Sequence, residues 1–337
     1  MRRGAEAQAA RHRTRGGRKI EYAINIALLL FLGLTAVAIL RLRVLFAVVM
    51  LASVFSLVSA ALFVNLDAVD VAFTEAAVGA GISTILMLGT VAITARREAP
   101  STRPRALPLT VVFLTGLALV YGTLDMPRFG DPAAPAQVHV APKYIEDTAR
   151  EIGIPNIVTA VLASYRGFDT LGEVTVIFTA GIGVLLLLAA TIRDPQGAGV
   201  RAMHHHLVLR VVTKVLIGPI LLFALYVQFH GDYGPGGGFQ AGIIFAAAFI
   251  IYALVFGLET ARRAVPGRIV RLLLAAGVLL YGGVGVVSFV FGRNYLNYSV
   301  LGPDMITGQH IGILLIEFGV GMTVAAVMVS TFYAFAG

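Results

Sequence analysis

Apolar residues in this chain come in long unbroken runs rather than in stripes. Nine runs, at about 22–40, 44–66, 71–94, 108–124, 171–192, 207–229, 238–258, 268–291 and 309–335, reach or approach the length a helix needs to cross a bilayer. They lack the apolar–polar alternation of a barrel strand. In lipid only helices and closed barrels satisfy every backbone group. The pattern predicts an all-α polytopic integral membrane protein with about nine transmembrane helices.

Polar breaks sort the runs into three modules. Residues 20–95 hold three helices, 108–192 hold two with a long loop between them, and 207–337 hold four. The breaks are "RREAPSTRPR" (96–105) and "RDPQGAGVRAMHHH" (193–206). The segment from Leu124 to Asp169 is first proline-rich and then mildly amphipathic, and it is too long for a passive turn. Residues 1–19 are basic with almost nothing apolar, so they read as a disordered tail. No internal repeat is visible.

Composition narrows the chemistry. The chain is 58% hydrophobic and 13% charged, against about 25% charged in a soluble domain. It has no cysteine, which excludes disulfides, thiolate metal sites and a cysteine nucleophile. It has no tryptophan, so tyrosine must supply any aromatic belt. The net charge of +8 is topology information rather than a nucleic-acid footprint. The connections at 41–43, 96–105, 193–214 and 262–271 hold fourteen Lys and Arg; the connections between them hold five. Those four therefore face the cytoplasm, and the 124–169 loop and the segment "HGDYGPGGGFQ" (230–240) face outward. The basic tail would then lie outside, against its own charge. A first span that does not cross, an over-long start, a tail translocated regardless, or a signal peptide cut near Ala36-Val37-Ala38 would each reconcile the two.

Five motifs carry candidate chemistry. In "HGDYGPGGGFQ" no Gly-Lys-Ser/Thr follows and no strand precedes, so neither a P-loop nor a dinucleotide fingerprint fits. It reads as a tight turn. Pro235 fixes φ and Gly236, Gly237 and Gly238 permit positive φ and close approach. His230 and Asp232 add titratable groups. The small residues Gly238, Ala241 and Gly242 open the next helix to a close neighbour.

In "NLDAVDVAFTEAAVGAGIST" (65–84), Glu75 lies roughly 6 Å inside its span. Helical spacing puts it on one face with Ala72, Ala76, Gly79, Ala80 and Ser83, away from Val71, Val78, Ile82 and Ile85. An intramembrane carboxylate on such a face is a functional candidate, and an interfacial Glu reaching water is the plainer reading. Asp70 is either an ion ligand or a helix cap.

In "YRGFDTLGEVTVIF" (165–178), Asp169 and Glu173 share a face at i, i+4. Thr170 and Glu173 also fit a capping box, and Arg166 can pair with either acid. In the last module, Lys214 and Glu317 lie inside spans that start from opposite sides, so a Lys–Glu relay and a snorkelling lysine both stay open. The run His204–His206 points around a helix, so the expected metal site is none.

These motifs together resemble a known family. "LYVQFHGDYGPGGGFQAGIIFAAAFI" (225–250) is similar to the signature of the B-type subunit of Mrp-type multisubunit Na+/H+ antiporters. "LDAVDVAFTEAAVGAGISTIL" (66–86) resembles the domain that follows the antiporter core of the A-type subunit, a domain that is also the small D-type subunit of membrane-bound hydrogenases. "NIVTAVLASYRGFDTLGEVTVIFTAGIGVLLL" (156–187) resembles the last piece of the A-type subunit, which is the hydrogenases' E-type subunit. The resemblance implies a fusion of the A-type tail with the B-type subunit, without the large proton-carrying core.

It also implies a secondary transporter component in the bacterial inner membrane, not an enzyme, with no nucleotide or redox cofactor. Its partners would be other antiporter subunits, Na+, H+ and lipid, with no nucleic acid. The family's acids map onto Asp70, Glu75, Asp169 and Glu173, with Thr74 and Thr170 as oxygen donors. Glu75 and Glu173 would be the main exchangers. The turn histidine maps onto His230, beside Asp232, and the proline onto Pro235; His230, Asp232, Lys214 and Glu317 make a possible proton relay. Family members often read His-Gly-His before Ser-Pro, where this chain has Asp232 and Gly234, and Phe-Gln-Gly-Gly, where it has Ala241. A non-conducting scaffold and the membrane arm of a complex I-related hydrogenase are the rival expectations.

Overall fold

The computed structural model describes residues 2–99, 106–189 and 206–336. Helices α1 (Arg2–Arg41) and α2 (Leu45–Asn65) form an antiparallel pair. The third span runs from Val69 to Val91 and is built from α3 (Val69–Glu75), a π-helical stretch (Ala76–Ile82) and α4 (Ser83–Ile93). Then come α5 (Ala106–Thr123), α6 (Ala141–Glu151), α7 (Ile157–Ala160) and α8 (Gly167–Ala189). The last module is α9 (Leu207–His230), α10 (Gly238–Phe256), the short α11 (Leu258–Ala264), α12 (Gly267–Val290) and α13 (Met305–Ala336). Among the described residues nine helices are long and apolar enough to cross a membrane, and each coincides with one of the nine runs.

The core gathers around α13, which packs against α8, α10, α12, α4 and the π-helical stretch Val161–Tyr165. Small residues make this close packing possible. At Gly238 a Cβ would run into the Glu317 carbonyl of α13, and at Gly277 of α12 it would run into Thr323. The small start of α10 thus meets α13, as the sequence implied. By contrast α5 buries none of its residues.

Both ends of the bundle agree with the charge count. At one end the Leu45 N–H donates to the Arg96 carbonyl at 3.1 Å and the Glu98 N–H to the Arg43 carbonyl at 2.9 Å, tying two basic connections together. At the other end the long 124–169 loop folds as α6, α7 and the Val161–Tyr165 stretch and rests on the "HGDYGPGGGFQ" turn. Asn156 caps α7, accepting from the Val158 N–H at 3.0 Å. Its Nδ2 donates to the Gly231 and Gly234 carbonyls, both at 3.0 Å.

Two expectations change. The basic tail, read as disordered, continues the first helix from Arg2. Its alanines and arginines are good helix formers, and the apolar span supplies the nucleus from which helix propagates. The third span is not one regular α-helix either. The π-helical stretch follows Glu75 directly and widens the turn, yet the Glu75 carboxylate still lies over Gly79 on the face toward α2. Both sides of this span are packed. Ser53 of α2 donates to the Ala80 carbonyl at 3.1 Å on the small-residue side. Ile82, Ile85 and Val78 join the core on the other. Of the connections, 100–105 and 190–205 lie outside the described residues, and with them His204 and His205.

Candidate functional site

The two stretches richest in motif residues meet across the sequence. Gln240, in the first turn of α10, donates from Nε2 to Thr74 Oγ1 at 2.8 Å, and Thr74 Oγ1 donates to the Asp70 carbonyl at 3.0 Å. Behind this bridge lies a cavity of about 340 Å³ whose polar lining includes Asp70, Thr74, Thr170, Glu173, Gln240 and Glu317. The glycine turn Gly236–Gly238 forms part of the wall. The volume is ample for several waters.

Each carboxylate is positioned for a local reason. Asp70 is the second residue of α3, and the N-cap position belongs to Ala68. Its carboxylate instead lies against the Gly236 backbone and the Asn156 side chain. Thr170 lies inside α8 rather than at its cap, and its hydroxyl donates to the Leu162 carbonyl at 2.8 Å. The capping box with Glu173 therefore does not form, and Glu173 lines the cavity. Glu317 projects from α13 beneath the turn. Gly237 has φ 106°, and a Cβ there would come within 2.9 Å of Glu317 Oε1. Glycine is needed at this position for both conformation and space.

Other sequence candidates lie elsewhere. The Glu75 carboxylate fills the space over Gly79 beside Ser56 of α2, on the side of α3 away from the cavity. Asp169 is exposed and paired with Arg166 at 2.6 Å. His230 stacks on Tyr226, ring centroids 4.9 Å apart, and points along α9. Lys214 sits over the Phe256 ring at 5.8 Å. Phe256 ends α10 and Gly238 begins it, so Lys214 and Glu317 lie at opposite ends of a helix about 27 Å long. A direct Lys214–Glu317 pair is thereby excluded.

One titratable residue escaped the sequence reading. His310 Nδ1, one and a half turns into α13, lies 3.3 Å from Asp232 Oδ2. Burial pushes the Asp232 carboxyl above the usual range, and His310 pulls it partly back. Asp232 is in turn within electrostatic reach of Glu317. No spacing rule links positions 232 and 310, so only the fold could reveal the pair. Next to it, Ser164 donates to Gln309 Oε1 at 2.7 Å. Among the described residues no group of three or more His, Asp or Glu is placed to hold a metal ion.

Comparison with known proteins bears on all three modules. Residues 208–330 match the family model described as a domain related to the MnhB subunit of Na+/H+ antiporter. Residues 30–96 match the MbhD model, for the D-type subunit of MBH, and residues 103–203 match the MbhE model, for its E-type subunit. A putative antiporter subunit mnhB2 of Staphylococcus aureus (strain Newman) is 35% identical over 133 residues, covering 39% of this chain and 94% of the relative. The protein of the same description from strain COL matches to the same extent.

Among solved structures, the Mrp complex from Dietzia sp. DQ12-45-1b superimposes with a TM-score of 0.73 at 26% identity, covering 92% of this chain. This chain spans only 34% of that one. The membrane-bound sulfane sulfur reductase, an archaeal respiratory membrane complex, matches with a TM-score of 0.53 at 27% identity over 68% of this chain and 97% of its own. The chain belongs to the MnhB-related family of antiporter subunits, as an Mrp-type fusion in which MbhD- and MbhE-type segments precede the MnhB-type one, and it is a multi-pass protein of the bacterial plasma membrane.

Proposed function

We propose that this chain contributes part of the cation path of a multisubunit Na+/H+ antiporter and helps to assemble the proton-carrying subunits around it. Three segments, matched by three different family models, act as the modules 20–95, 108–192 and 207–337. The observation that carries the reading is the cavity that Asp70, Glu173 and Glu317 share. Na+ needs several oxygen ligands, and the Thr74 and Thr170 hydroxyls with the Gln240 amide oxygen supply neutral ones beside the acids. A proton and a cation then compete for the same carboxylates, which is the elementary requirement of exchange. Glu173 takes the role of exchanger together with Glu317, while Glu75 serves the α2–α3 contact. Asp169, with Arg166, stands at the outer edge.

The test is Na+-dependent proton antiport in everted vesicles. The whole operon is expressed in a strain without its own antiporters, and assembly of each variant is checked. Glu173→Gln and Glu317→Gln should assemble and lose transport or Na+ affinity. Unchanged transport in both would make the chain a scaffold.

A second reading, the membrane arm of a redox-driven complex, draws on the match to the sulfane sulfur reductase. It requires iron–sulfur partners to co-purify, and their absence from an active complex would end it.

A further inference from the structure

At the opposite end of the bundle from the cation cavity lies a second pocket, of about 480 Å³, that the transport reading does not use. It opens between the last turns of α8, the turn from α11 into α12, and the last turns of α13. Its lining holds three guanidinium groups, Arg262, Arg268 and Arg271, and no carboxylate.

The three arginines are not equivalent. Arg262 is half-buried and held in place. Its Nη2 donates to the Tyr333 carbonyl at 3.1 Å, and its guanidinium lies 5.6 Å from the centre of the Tyr333 ring. Tyr333 in turn donates from its hydroxyl to the Val265 carbonyl at 3.2 Å, which fixes the turn. Arg268 and Arg271 are exposed, three residues apart on the first turns of α12, and neither forms an ion pair among the described residues. Like charges three apart on a helix repel. Three cations without an acidic partner among the described residues give the pocket a demand for an anion.

The place of the pocket indicates which anion. The spans Gly167–Leu188 and Gly267–Val290 end and begin at its rim, so it sits where hydrocarbon gives way to headgroups. It lies on the side of the Lys- and Arg-rich connections, the cytoplasmic side by the positive-inside rule. Leu188 and Val270 give it an apolar wall. Leu185, one turn before Leu188 on α8, extends that wall. A cluster of arginines with an adjoining apolar strip, at interface depth, matches a phosphate joined to acyl chains. A free anion needs no apolar strip.

We infer that this pocket is a headgroup site for an anionic phospholipid of the cytoplasmic leaflet. Arg268 and Arg271 hold the phosphate, Arg262 is fixed behind them, and an acyl chain lies along Leu185 and Leu188 of α8. The inference needs only the membrane placement of the chain and stands or falls apart from the cation path.

The experiment uses the intact purified complex with fluorescent phosphatidylglycerol, compared with fluorescent phosphatidylcholine of the same chain length. Phosphatidylglycerol should bind preferentially. Each arginine lost should weaken it about fivefold, so Arg268→Gln with Arg271→Gln should cost roughly 25-fold. The pair Arg268→Lys with Arg271→Lys should keep most of the binding, which separates charge from folding. Arg263→Gln, on the same turn but outside the pocket, should change nothing. Equal binding of the two lipids, or no loss in the double Gln variant, overturns the proposal. Binding of inorganic phosphate as tight as that of the lipid overturns it in favour of a free-anion site. So does crosslinking from Arg268→Cys that captures only an acidic protein segment.

Discussion

Gln240 Nε2 lies 2.8 Å from Thr74 Oγ1, joining the MnhB-type module to the MbhD-type module at the mouth of one cavity. The bond crosses 166 positions of sequence and holds Asp70 and Glu317 to a common space. The partition of acids around that bond sets the first expectation. Glu173→Gln and Glu317→Gln should each reduce apparent Na+ affinity or transport by at least about tenfold, worth ~1.4 kcal/mol. Glu75→Gln should change either by less. Antiport assays on assembled complexes decide it. Equal losses at all three positions would mean that Glu75 reaches the path by another route.

Asn156 tests how firmly the outer loop is fastened. It caps α7 and donates to two carbonyls of the turn. Asn156→Ala removes the cap and leaves those carbonyls without this donor, at a cost of about 1–3 kcal/mol. The thermal transition of the purified complex should fall accordingly, and proteolysis of the 141–165 region should quicken.

Gly237 tests the glycine turn. With φ 106° and Glu317 in the space a Cβ would take, Gly237→Ala meets strain and collision together. A loss of about 2 kcal/mol or more is expected. Gly234→Ala, at ordinary φ and meeting the His230 side chain rather than a strained backbone, should be milder. Similar melting temperatures for the two variants would refute the assignment.

Asp232 makes stability depend on pH in a definite direction. Burial raises its carboxyl in the folded state, so the native protein holds that proton to higher pH than the unfolded chain does. As pH rises from the ordinary carboxylate range to the raised value, this group makes the folded state progressively less stable. Asp232→Asn should abolish that slope. His310→Gln, which removes the group that lowers the Asp232 carboxyl, should carry the slope to higher pH. Melting temperature against pH for the three proteins measures it.

Asp304 gives the opposite sign. It accepts from the Thr307 N–H at 2.9 Å and from the Thr307 hydroxyl at 2.7 Å, and these bonds hold its carboxyl below the usual range. Its support for the start of α13 is present above the unfolded-state value and is lost as pH falls through the lowered one. Asp304→Ala should speed amide exchange at Met305–Gly308 at neutral pH and leave it unchanged at low pH.

The nine spans, the helical class and the grouping of the connections at two ends were legible in the chain itself. Run length and basic-residue count are local quantities, and the bilayer imposes both. The family was legible too, because "HGDYGPGGGFQ" and "LDAVDVAFTEAAVGAGIST" are contiguous segments. Which acids share a space was not. Glu75 and Asp70 stand five apart, yet one faces α2 and the other faces the turn of a different module. Lys214 and Glu317 looked like partners until α10 set them a helix length apart. His310 meets Asp232 only because α13 runs past the turn. Periodicity reports how a residue sits on its own helix. Partners on other helices follow from packing, which here depends on glycines letting α10 and α12 close on α13.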